Sequence, residues 1–221
     1  MRVFEHVKLP ELDYDLNAVT SESGSRVYTT PDGKKYKSIT TVLSAYNKAA
    51  ILEWRKRVGE EEANRVSKKA STRGTKVHDM CEKYLLNEMS DMKLKMMMPD
   101  IKETFIQLKK RLDESVGKIY SLEQALYSDE LQVAGRVDCI AEWDNKLSII
   151  DFKTSKKLKE ENYIQNYFMQ CTAYALMFKE RTGIDIDQIV VAIAVDGEPE
   201  PQIFIRRKAD YVDQLMQYIK Q

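Results

Sequence analysis

Asp138, Asp151 and Lys153 are the residues whose types and spacing could do chemistry together. Two carboxylates brought close repel each other and resist desolvation, and a bound cation relieves both penalties. The hard ions Mg²⁺ and Mn²⁺ favour carboxylate oxygens, a few waters and a phosphate oxygen. A lysine beside them could hold a water or steady charge growing on a phosphate. The bland alternative is a surface hairpin whose polar face is solvated, since Asp-x-Lys is common on any strand.

A β-hairpin must bring the three together. Val133–Trp143 and Leu147–Phe152 are rich in strand formers, and Asp144-Asn145 lies between them. Those two residues tolerate positive φ and so make a tight turn. That turn sets Asp138 opposite Asp151, with Cβ atoms roughly 4.5–5.5 Å apart. A turn at Asn145-Lys146 would set Asp138 opposite Lys153 instead, and parity keeps all three on one face. Ile140, Ile149 and Leu147 fall on one side of the hairpin, and Val137, Ile150 and Phe152 on the other. Apolar groups on both sides predict a sheet covered twice, as in an α/β layered core. Ile119–Tyr127 reads as a strand carrying Glu123, and Gly135 permits a close backbone approach or a bulge.

Upstream, residues 1–25 read as a partly extended arm. Ser25–Tyr28, Pro31-Asp32-Gly33 and Tyr36 predict a small hairpin, and Ser38 or Thr40 could cap a helix to about Asn47. Short helices are expected over Ala49–Val58 and Glu60–Ala70, and another leads from Arg73 through about Asn87. His78 and Glu82 share a face of it. Tyr28, Tyr36, Tyr46 and Trp54 could stack on bases, although each suits a packing role as well. Met89, Met92, Met96, Met97 and Met98 read as a loop packed on the core. Pro99 breaks the element, and Asp100 could cap a helix from Ile101 to about Val116. Downstream, Glu160–Arg181 is a helix with Tyr167, Gln170 and Tyr174 on one face. Strands over Gln188–Val195 and Gln202–Arg206 follow, then a terminal amphipathic helix over Lys208–Gln221.

With 221 residues, 35 basic and 35 acidic, the chain has no global charge signal for a polyanion. Residues 55–76 are locally basic, with eight cations against three glutamates for a net +5. Such a stripe can track phosphates or can simply be a solvated helix face. Cys81, Cys139 and Cys171 are odd in number and widely spaced, which argues against a disulfide framework and for a reducing compartment. No run of about 20 apolar residues predicts a membrane span. Met1–Asp15 has neither a signal core nor a transit composition. No phosphate-binding Gly-x-x-x-x-Gly-Lys loop is present, so no ATP motor is expected.

Gly135-Arg136-Val137-Asp138 followed by Asp151-Phe152-Lys153-Thr154-Ser155 resembles the core of the PD-(D/E)xK nucleases, more narrowly the RecB-like exonucleases. Val137 stands where the name-giving proline would be. Arg73-Gly74-Thr75-Lys76-Val77-His78 resembles an upstream motif of that branch, and Gln170-x-x-x-Tyr174 one that follows the catalytic strand. The resemblance implies a restriction-endonuclease-like α/β fold, a mixed central sheet flanked by helices with an N-terminal helical portion. It implies one nuclease domain over 1–221, comprising the arm, a mainly helical portion at 38–118 and the catalytic sheet with flanking helices at 119–221. It also implies Asp138, Asp151, Glu123, His78 and the Phe152 carbonyl as ligands of Mg²⁺ or Mn²⁺, with Glu82 a weaker addition. Lys153 is the catalytic cation, and Gln170 and Tyr174 give support. Arg73, Thr75, Lys76, Arg136, Thr154, Ser155, Lys156 and Lys157 are the implied nucleic-acid contacts.

The implied activity is cleavage of DNA, preferentially single-stranded and from an end. A structure-specific endonuclease and a non-catalytic binding module are the alternatives. Replication or recombination proteins are candidate partners. Some relatives carry a four-cysteine iron–sulfur cluster, which three scattered cysteines cannot build. The implied location is the cytoplasm, that of a host if the chain is phage-encoded.

Overall fold

A computed structural model describes residues 2–220; Met1 of the expected arm and Gln221 of the expected terminal helix lie outside them. The chain runs β1 (Asn17–Thr20), β2 (Arg26–Thr29), β3 (Lys35–Ser38), α1 (Ile39–Leu43), α2 (Lys48–Val58), α3 (Glu60–Leu85), α4 (Asp91–Lys95) and α5 (Pro99–Ser115). It continues with β4 (Val116–Ser128), β5 (Val133–Trp143), β6 (Lys146–Ser155), α6 (Gln165–Thr182), β7 (Gln188–Val195), β8 (Gln202–Arg207) and α7 (Val212–Ile219). The eight strands form one mixed sheet. Its α6 face packs Ile140, Ile149, Phe168, Met177 and Ile189 with α1 and α7 nearby. Its other face packs Cys139, Ile150, Phe152 and Val190 under α3 and α5. The doubly covered α/β sheet expected from the hairpin is therefore present.

The hairpin turn is Asp144-Asn145, with φ of 50° and 65°. Pairing runs from Trp143↔Lys146 to Cys139↔Ile150, the register that heads for Asp138 opposite Asp151. There the ladder stops. β4 occupies one edge of β5 from Val116↔Trp143 to Ser128↔Val133. On the other edge β6 pairs with the end of β5, and β3 pairs in parallel with its start at Val133 and Ala134. Between these partners the sheet forks, and residues 135–138 border a gap.

Alternation slips at the fork. Val137 packs with Ile140 and Ile149, on the side opposite to that expected, while Ile150 and Phe152 keep the other side. The slip coincides with Glu123, which faces this stretch from β4 with a φ of 48°. Gly135 provides the close approach: a Cβ there would lie 2.7 Å from Tyr174 Cε1 and 3.2 Å from Ile39 Cγ2. Gly135→Ala is expected to cost about 2 kcal/mol by overpacking, seen as a lower denaturant midpoint at unchanged m-value. A midpoint equal to wild type would mean Tyr174 yields freely.

Several boundaries differ from expectation. Residues 60–85 are one continuous helix instead of two. Gly74 sits inside it on the side facing β6, with Thr154 Oγ1 3.9 Å from an added Cβ. The arm is docked: Phe4, Leu12 and Leu16 are buried, and Asn17–Thr20 adds an edge strand. Pro99 opens α5 at its first turn, where its missing N–H costs nothing, so Asp100 sits inside the helix and does not cap it. Within 160–181 the helix begins only at Gln165, after a 3₁₀ turn. Ser38 does cap α1, its Oγ accepting from Thr41 N at 3.1 Å. Tyr28 and Tyr36 are core residues, 2% and 9% exposed, and take the packing role. Among the described residues no helix is long and apolar enough to cross a membrane.

Candidate active site

The fork opens into a cleft of about 620 Å³. α3 lines it with Gly74, Thr75, His78 and Glu82, β4 and β5 with Glu123 and Asp138, β6 with Lys153, and α6 with Gln170 and Tyr174. Each element presents its residue for a local reason. α3 buries Val77, Cys81 and Tyr84 and thereby turns His78 to the cleft. α6 buries Phe168 and Ala175 and places Gln170 and Tyr174 one turn apart.

Asp138 compensates for the lost ladder. Its Oδ2 accepts the Phe152 N–H at 2.8 Å and lies 3.4 Å from His78 Nδ1. His78, Glu123 and Asp138 each offer an atom within 4.8 Å of the others, a spacing suited to one cation. Asp151 leans the other way, toward α6. Its Oδ1 accepts from Gln170 Nε2 at 3.1 Å, and Lys153 Nζ stands 2.5 Å from Oδ2. That ion pair and the Gln170 amide hold the buried carboxylate from two sides. The imidazole nitrogen and two carboxylates of the His78, Glu123 and Asp138 cluster fit a divalent ion, and Asp151 stands outside that spacing. Gln170 also reaches Tyr174 Oη at 3.3 Å, and Lys153 Nζ sits 5.2 Å from the Tyr167 ring centre.

Burial dominates the electrostatics. It pushes Asp151 up to about 6, against the pull of Lys153 and with the help of Asp138. It pushes Glu123 up to about 7, again aided by Asp138. Burial also opposes ionisation of Asp138, but the charge and hydrogen bond of His78 outweigh it and hold that carboxyl low. The same partnership raises His78 despite burial. Lys153 is raised too, because Asp151 and Asp138 overcome its desolvation.

These shifts carry a sign. The folded state holds protons on Asp151 and Glu123 where an unfolded chain, with ordinary values near 4, has released them. Their stabilising contribution is complete below about pH 4 and is lost as pH rises through about 6 and 7. His78, also raised, acts in the same direction. Asp138 acts oppositely, but only below its ordinary value of 3.8. Thermal melts in EDTA are therefore expected to fall by roughly 5 °C between pH 5.5 and 7.5. A rise over that range would contradict this balance.

Other expected residues lie elsewhere. Arg73 leaves the cleft, pairing with Asp196 and donating to Thr104 Oγ1 at 2.6 Å. It ties α3 to α5 and to the end of β7. Arg136 lines the cleft but is engaged by the Glu123 carbonyl and by Asp15 at 2.6 Å. Thr75 borders the cleft, whereas Lys76 projects from the next face of α3. Thr154 faces Gly74, Ser155 Oγ donates to the Lys157 carbonyl at 2.6 Å, and Lys156 and Lys157 are exposed beyond the strand. Phe152 is buried with its N–H on Asp138. Tyr167 stands beside Lys153, and its three-residue spacing from Gln170 is the sequence signal for that place. Cys81, Cys139 and Cys171 are fully buried, on α3, β5 and α6 beneath the cleft residues.

The family model of the PD-(D/E)XK nuclease superfamily matches residues 42–221. Mitochondrial genome maintenance exonuclease 1 of Homo sapiens is 27% identical over 169 residues, 72% of this chain and 45% of that protein. Its Xenopus tropicalis counterpart is 37% identical over 94 residues, 40% of this chain and 26% of that protein. The chain thus spans less than half the length of either relative. The crystal structure of SSO0001 aligns with a TM-score of 0.38 and 15% identity, covering 77% of this chain and 69% of that one.

Proposed function

Because the chain belongs to the PD-(D/E)XK nuclease superfamily, we propose that it is a Mg²⁺- or Mn²⁺-dependent DNA exonuclease that shortens single-stranded DNA from an end. The observation that carries this reading is the His78, Glu123 and Asp138 cluster at the fork, with Lys153 lining the same cleft. Asp138, Asp151, Glu123 and His78 would hold the ion. The Phe152 carbonyl would join them, because the N–H and C=O of one strand residue point the same way and its N–H already faces Asp138. Held by these residues, such an ion would lower the pKa of a bound water and neutralise phosphate charge.

Lys153 keeps its proton at neutral pH, so it acts as a fixed cation toward the phosphate or as a donor orienting the attacking water. It does not serve as the base. Gln170 holds Asp151 in its rotamer, and Tyr174 braces Gln170. End-directed action is supported by the names of the two relatives. The preference for a single strand rests on the family resemblance.

The test incubates end-labelled single- and double-stranded DNA, and a single-stranded circle, with Mg²⁺, Mn²⁺ or EDTA, and sizes the products. Linear single strands should shorten with either metal and survive in EDTA, and circles should stay intact. Cut circles would make the chain an endonuclease. Binding without cleavage in every metal would make it a non-catalytic module.

A further inference from the structure

One strongly charged surface is not used by the site above. The α3 face next to the cleft-lining one bears a second groove of about 370 Å³, lined by Arg65, Lys68, Lys69 and Lys76 together with Met98 and Ile101. Arg65 is matched by Glu62 at 2.7 Å. Lys68, Lys69 and Lys76 are exposed. Among the described residues no carboxylate pairs with these three, and Lys76 Nζ reaches only Met98 Sδ, at 3.7 Å. From Arg65 to Lys76 the helix rises about 16 Å at 1.5 Å per residue. Asp100 is the acidic residue of the lining, at the Met98 end, so a polyanion is favoured toward Arg65.

Thioether, isoleucine and lysine stems between cations suit a chain that alternates apolar base faces with phosphates. A free anion would need only the charges. We propose that this groove carries single-stranded DNA onward from the cleft, so that the strand follows α3 from Thr75 and Lys76 toward Lys68 and Arg65. The inference rests on the nuclease reading and extends its substrate footprint by one helix face.

The test uses Lys68→Gln/Lys69→Gln in the full chain, in an Asp138→Asn background that retains DNA uncut. Fluorescence anisotropy follows binding of a strand of about 30 nucleotides and one of about four, over a series of salt concentrations. Two lost phosphate contacts should flatten the slope of log K against log salt by about 1.4 for the long strand. They should also weaken it by roughly tenfold at low salt and leave the short strand's affinity as it was. Equal slopes for the variant and its parent, or equal losses for both strands, would overturn the groove. So would an effect confined to anionic vesicles or an acidic protein. If the unmutated chain cleaves DNA and the slope is unchanged, only the groove fails; if it neither binds nor cleaves DNA, the nuclease reading fails first. A melting temperature matching the parent excludes misfolding.

Discussion

Asp138→Asn should lower metal-dependent cleavage by roughly a thousandfold, about 4 kcal/mol of barrier. The substitution keeps the shape and an oxygen to accept the Phe152 N–H, so the forked sheet stays supported. It removes the charge shared by the His78 and Glu123 cluster. A divalent titration, followed by calorimetry or by the melting temperature, should show weakened binding. The loss of that charge should also let the His78 pKa fall, since Asp138 is what raises it against burial. Imidazole resonances followed by NMR against pH report that change independently of cleavage. A rate within threefold of wild type, with unchanged metal affinity, would remove Asp138 from the proposed ligand set.

Lys153→Met should act on stability as well as rate. Asp151 is buried, and Lys153 is its only cationic partner within ion-pair distance among the described residues. Breaking one side of a buried pair typically costs about 3–5 kcal/mol, because the remaining charge stays desolvated. In EDTA at pH 8 a melting temperature lower by roughly 10 °C is expected. At pH 5 the deficit should shrink, because Asp151, already shifted upward, then carries a proton. The double variant Asp151→Asn/Lys153→Met should recover most of the lost stability while remaining inactive. A single variant as stable as wild type at both pH values would mean the ion pair contributes nothing to the fold.

The hairpin was readable because its signals agree: two runs of strand formers flank a dipeptide that accepts positive φ, and this sets the register as far as Cys139↔Ile150. The parting of the strands beyond that pair was not. It depends on β3 competing for the same edge of β5, a contact more than ninety residues away in the chain. For that reason Asp138 and Asp151 lean toward different helices, α3 and α6, instead of simply sharing a face. Ser71 and Thr72 fall between the two expected helices because helix propensity is local and both are weak formers, whereas packing on α5 and β6 holds α3 as one piece. The edge strand Asn17–Thr20 is exposed throughout and carries no alternation to read. Arg73 stands in a motif associated with nucleic acid, yet its guanidinium is engaged by Asp196, a partner only the fold brings near.

The three thiols beneath the cleft turn the fold into its own reporter. Cys139 adjoins Asp138, Cys171 adjoins Gln170, and Cys81 lies one turn past His78, each shielded from solvent. Burial also raises all three pKa values, so a maleimide or disulfide reagent finds neither access nor thiolate in the closed molecule. The speed at which each sulfur is alkylated therefore times the excursions in which its own wall of the cleft comes open. Occupancy by metal or DNA can be followed as a slowing of that clock, wall by wall.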